Sequence, residues 1–161
     1  MSNEKSKSKA TEYFTGKQYH ISCAPGDLAR IILLCGDPER AERVSGYFED
    51  IRFRASHREF ITFTGSYKGA PLSVMATGIG TDNTEIAVIE AARCVEQAVF
   101  IRIGSCGAIK EGIRGGDLVI SRDAIPRENT SGFYLPQGAR VEADPAVTEA
   151  RVESARSLGF T

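Results

Sequence analysis

The sequence predicts an α/β fold, a mixed central sheet flanked by helices. Three observations carry this: short, continuously apolar runs that read as strands buried on both faces, segments of helical periodicity between them, and glycines where the strands stop. A pair of β-rich runs joined by a short Gly-containing turn adds an antiparallel hairpin, which makes the sheet mixed.

Taken in order, residues 2–10 (SNEKSKSKA) are charged and of low complexity, so 1–12 read as a flexible tail and 13–161 as one folded domain. Ile31–Cys35 (IILLC) is a buried strand that stops at Gly36-Asp37-Pro38, a turn and helix entry, and 39–48 follow as a helix. Phe60–Tyr67 and 72–77 flank Lys68-Gly69-Ala70-Pro71 as a hairpin, and Gly78 and Gly80 end its second strand. Ile86, Ala87, Ile89 and Val95 give 82–97 one packed helical face, with Thr81 or Asp82 placed to cap the first amides. Residues 99–103 form the next buried strand, and 118–120 another after the Gly115-Gly116 turn. The polar stretch 127–138 is a functional loop, and Asp144-Pro145 opens a last helix running to 158. Ligands gather at the carboxyl ends of strands in such sheets, which draws attention to Gly36, Gly78 and Gly104.

The bulk composition narrows the function classes. A formal charge of -1 offers no global attraction to nucleic acid or to an anionic membrane, so neither is an expected partner. The N-terminus lacks the apolar core of a secretory signal, and no apolar run approaches the roughly 18 residues of a membrane span. The cysteines Cys23, Cys35, Cys94 and Cys106 form no C-x-x-C pair or metal cluster and read as reduced thiols of a cytoplasmic protein.

Four motifs carry chemistry. In Gly36-Asp37-Pro38-Glu39-Arg40 a strand-ending glycine, a helix start and an arginine one turn later together suit a phosphate. In Arg102-Ile103-Gly104-Ser105-Cys106-Gly107 a lone arginine sits at the end of an apolar strand, where burial demands an anion or a carboxylate such as Glu85 or Glu90. Ser56-His57-Arg58-Glu59-Phe60 is a charged cluster opening the hairpin, and His20 stands alone before a turn. Gly78-Ile79-Gly80 lacks the third glycine and the acidic ribose ligand of a dinucleotide site. With no Ser-His-Asp set, zinc pattern or P-loop, the reacting nucleophile has to come from solution.

GDPER (36–40), SHREF (56–60), ATGIG (76–80), RIGSCGAI (102–109) and GDLVISRDAIPRE (116–128) together resemble the uridine phosphorylase and hexameric purine nucleoside phosphorylase family. The resemblance implies a phosphorylase/hydrolase-like fold and phosphorolysis of a ribonucleoside, with inorganic phosphate as co-substrate and no organic cofactor. It places Gly36, Arg40, Arg102 and Ser105 on phosphate, with Arg58 contributed to the same phosphate by a neighbouring subunit. It places His20 on the ribose 5'-hydroxyl, also from the neighbour, and Cys106 and Gly107 against the base. Glu59 corresponds to a glutamate lining a monovalent-cation site, which suggests potassium, although Asn83 is not the residue type expected beside it. The active site is therefore dimer-built, in a homo-oligomer that reaches a hexamer in this family. SHREF and the Arg127-Glu128 loop resemble the uridine enzymes, whereas Ser105-Cys106-Gly107 resembles the purine enzymes, and uridine is the expected substrate. Members of the family continue past the point matching Thr161 with a Gln-x-Arg segment for the base and a Glu-Met-Glu ribose clamp, so this chain is expected to be C-terminally truncated. An inactive phosphate- or nucleoside-binding remnant is the alternative this implies.

Overall fold

A computed structural model of the chain describes residues 16–160, so the tail expected over 1–12 lies outside the described residues. The chain divides into two compact units, one up to Gly104 and one from Ser105 onward.

The first unit is a five-stranded sheet with a helix against each face. Its elements are β1 (Ile31–Cys35), α1 (Pro38–Ser45), β2 (Asp50–His57), β3 (Phe60–Tyr67), β4 (Ala70–Ala76), α2 (Thr81–Cys94) and β5 (Val99–Arg102). The strand order is β2-β3-β4-β1-β5. β1 runs parallel to β4 and β5, while β2, β3 and β4 form an antiparallel meander. The sheet is mixed, as the sequence implies. One core layer packs Ile32, Leu34, Phe60 and Met75 with Ala87, Ala91 and Cys94 of α2, and a second packs Phe63, Val74 and Ala76 with Ala41 of α1.

Three local expectations change. The sequence marks only 56–60, as a charged cluster opening the hairpin, yet DIRFRASH (50–57) alternates, with Arg52, Arg54 and Ser56 exposed and Phe53, Ala55 and His57 half-buried. That period-2 pattern was the signal for a strand. Opposite its bulge, a methyl group on Gly65 would lie 1.9 Å from the Asp50 carbonyl oxygen, so only glycine lets the two backbones approach. α2 is not capped by Thr81 or Asp82; its N-cap is Gly80, at φ 105, without a side-chain cap.

The second unit holds a two-stranded ladder of β6 (Asp123–Ala124) and β7 (Val141–Glu142), a 3-10 turn at Thr130–Phe133, and α3 (Pro145–Ser157). Asp144 caps α3 by accepting from the Val147 amide at 3.0 Å, with Pro145 in the first turn as expected. The strand expected at 118–120 does not form: Leu118 and Val119 are exposed, and the ladder starts only at Asp123. An apolar run becomes a strand only where another backbone satisfies its amides and carbonyls.

Candidate functional site

The carboxyl ends of β4, β1 and β5 meet at one end of the first sheet. Register places Cys35 beside Ala76 and Leu34 beside Arg102, and the Thr77 and Ile103 amides extend the pairing by donating to the Cys35 and Leu34 carbonyls, both at 2.8 Å. Ile61 pairs with Ala76, so the turn carrying Arg58 and Glu59 is at the same end. The site residues of the first unit therefore line one edge, the edge singled out by the topology.

At the end of β1 a side chain at 36 would be crowded. A methyl group on Gly36 would stand 3.1 Å from the Gly78 carbonyl oxygen and 3.9 Å from Nη2 of Arg102. Arg40 lies in the first turn of α1, which follows β1 directly. Burial pushes the Cys35 thiol up from its ordinary range, and the positive charges of Arg40 and Arg102 both oppose that shift. Both guanidiniums are thus near enough to act on the charge of Cys35, and Arg102 also reaches Gly36, an arrangement suited to an oxyanion.

Two expectations about this corner need correction. Arg102 is exposed rather than buried, and Glu90 is not its partner. The start of α1 is also not an open set of amides, because Asp37 caps it by accepting from the Glu39 amide at 3.0 Å. A carboxylate at that cap keeps an anion off the helix axis and leaves it to the arginines and Gly36.

A second group gathers around Tyr19. Arg58 Nη2 donates to the Tyr19 hydroxyl at 3.3 Å, with its guanidinium carbon 5.6 Å from the Tyr19 ring centre. The His20 ring meets Tyr19 edge-on at 4.7 Å. The His20 amide and the Ile21 amide donate to Glu90 Oε2 at 2.9 and 3.0 Å, and His20 Nδ1 lies 2.7 Å from Glu90 Oε1. His57 Nδ1 donates to the His20 carbonyl at 3.0 Å. His20 and Arg58 therefore come together on Tyr19, while Gly36 and Arg102 come together at the ends of β1 and β5, with Arg40 in the first turn of α1. The contribution of Glu90 was not read from the sequence; its signal is an acid among the buried positions Ala87, Ala91 and Cys94 of α2.

Glu59 packs over Gly78, where a methyl group would meet its Cγ at 2.9 Å. Its Oε1 accepts from Asn83 Nδ2 at 2.9 Å, and the same nitrogen donates to the Ile79 carbonyl at 3.2 Å. Among the described residues no three His, Cys, Asp or Glu side chains converge on a metal position. One carboxylate oxygen already held by an amide does not by itself fit a cation site in a single chain. Ser105, Cys106 and Gly107 belong to the second unit, where all three are exposed on a stretch without regular structure. Cys23, Cys35 and Cys94 are buried free thiols and Cys106 is an exposed one. Among the described residues no helix is long and apolar enough to cross a membrane.

Residues 30–161 match the family model described as "Phosphorylase superfamily". A uridine phosphorylase of Thermococcus kodakarensis is 49% identical over 144 residues, covering 89% of this chain and 52% of that protein. The crystal structure of a purine nucleoside phosphorylase from Toxoplasma gondii with immucillin-H superposes with a TM-score of 0.85 at 32% identity, over 91% of this chain and 59% of that one. A uridine phosphorylase structure from Vibrio fischeri gives 0.83 at 29% identity, over 89% and 59%. The chain spans about half the length of the curated relatives it matches.

Proposed function

The chain belongs to the phosphorylase superfamily, and from that premise we propose that it is the phosphate- and ribose-binding part of a nucleoside phosphorylase, splitting uridine with inorganic phosphate into uracil and ribose 1-phosphate. The observation that carries this is that the positive charges of Arg40 and Arg102 both act at Cys35, at the carboxyl end of β1, where Arg102 also reaches Gly36. A hydrolase using water would leave those guanidiniums without an anion to hold.

In the reaction a phosphate oxygen bonds to the anomeric carbon as the glycosidic bond breaks, and its electron pair leaves with the base. Arg40 and Arg102 orient the phosphate and balance its charge without becoming covalently involved. Because the transition state is an oxocarbenium-like cation, a fixed anionic nucleophile beside it also stabilises it. His20 takes the ribose 5'-hydroxyl, and Cys106 and Gly107 lie against the base. The 49% identical relative is named a uridine phosphorylase, which supports uracil as that base.

Arg58 and His20 serve a neighbouring copy, in a homo-oligomer of at least two chains working in the cytoplasm. The hold of Tyr19 on Arg58, three strands and about 14 Å of sheet from Arg102, supports that division. No step is routed through a potassium ion, since the Asn83 amide already binds Glu59.

The test is phosphate-dependent release of uracil from uridine by the purified chain, beside hypoxanthine from inosine, an Arg102→Ala control and a sample without phosphate. Uracil release that requires both phosphate and Arg102 supports the reading; release from inosine alone moves the substrate to purines. A folded chain that releases neither base is a binding remnant.

A further inference from the structure

Glu90 is a carboxylate among the buried positions of α2 that the reaction above does not use. Its side chain is only 9% exposed, against 32% for His20. Two backbone amides, of His20 and Ile21, occupy its Oε2, and its Oε1 faces His20 Nδ1 at 2.7 Å. An ionised carboxylate only accepts hydrogen bonds, so the proton between them sits on the ring. A neutral imidazole with its proton on Nδ1 presents a lone pair at Nε2. The backbone of His20 is fixed as well, its amide by Glu90 and its carbonyl by His57.

We propose that Glu90 is a positioning residue that holds His20 in the Nδ1–H tautomer and so makes Nε2 an acceptor for a hydroxyl-bearing ligand. Resting on the ribose reading of His20, that hydroxyl is the nucleoside 5'-hydroxyl, and the pair selects nucleosides over their 5'-deoxy analogues. The carboxylate works through the imidazole and touches no reacting atom.

Glu90→Gln separates this role from a structural one. The glutamine oxygen still accepts from the two backbone amides, which preserves the fold, but its NH2 group then faces Nδ1 and donates to it. The ring proton is driven to Nε2, which now donates where it had accepted.

The chain has two histidines, so 15N-histidine spectra resolve each ring. Recorded at about pH 8.5, above the range in which histidine is ordinarily charged, they are expected to show His20 as Nδ1–H in the native protein and as Nε2–H in Glu90→Gln. With turnover, Glu90→Gln raises the KM for uridine about tenfold, on the scale of one lost hydrogen bond, and leaves that for 5'-deoxyuridine unchanged. A native His20 in the Nε2–H form overturns the proposal, as does a Glu90→Gln effect equal for both nucleosides. A native chain that cleaves neither nucleoside sinks the phosphorylase reading, while the spectra still decide the tautomer.

Discussion

The Arg102 guanidinium lies back over Gly104, so close that a methyl group on Gly104 would meet its Nη1 at 2.6 Å. The obstructing atom is the end of a flexible side chain, so Gly104→Ala is expected to fold and to displace the guanidinium. The KM for phosphate should rise about tenfold, as for one lost charge-assisted hydrogen bond, with the KM for uridine little changed. Initial rates over a phosphate series at saturating uridine measure it.

The separation of the Tyr19 group from the Arg102 corner makes a mixing experiment informative. Arg58→Ala and Arg102→Ala are each expected to lose at least tenfold in kcat/KM for phosphate. If each site draws Arg58 from the neighbouring copy, unfolding and refolding the two variants together restores intact sites. Random pairing in a two-fold assembly makes about a quarter of all sites wild-type, and activity should return to about that level. No recovery would place both arginines in the same chain's site.

Gly65 faces a harder obstacle than Gly104. The atom 1.9 Å from a methyl group there is the Asp50 backbone oxygen, which cannot swing aside. Gly65→Ala is expected to cost about 2 to 4 kcal/mol and to lower the urea midpoint without touching the site. An unchanged midpoint would mean that the β2–β3 bulge relaxes freely.

Burial pushes the Cys23 thiol up to about 12 and the Cys94 thiol up to about 11, from an ordinary value near 9. Both folded-state values lie above the unfolded one, so the stabilisation is complete below about pH 9 and is lost progressively as pH rises through the folded-state values. The urea midpoint should fall as pH rises from about 9 towards 11, and Cys94→Ala should flatten that fall. At neutral pH a thiol reagent should label Cys106 alone, and uridine should slow the labelling if the base lies against it.

The parts legible in the sequence were those written in local order. Ile31–Cys35 is continuously apolar because β1 is central, between β4 and β5, and the Gly69 turn marks the β3–β4 hairpin. Glycines at two apolar strand ends pointed to one end of the sheet, where β1 and β5 finish side by side. β2 was obscured because three of its residues are charged and lie outward or at its start, leaving only a weak alternation. The 118–120 run shows the reverse error, a strand-like sequence with no ladder partner among the described residues. Glu90 was beyond local reading because its hydrogen bond spans 70 positions, and nothing near His20 announces it.

Arg58 occupies the left-handed backbone region, at φ 55, in the two-residue turn between β2 and β3. A residue with a β-carbon is strained there by about 1 kcal/mol, which glycine would relieve. Selection for heat resistance alone would therefore drift toward glycine or asparagine at 58, while selection on phosphate use would hold arginine. The two screens, run on one library, should diverge at this position, and their divergence would measure how much strain the fold tolerates to keep a positive charge at the tip of a turn.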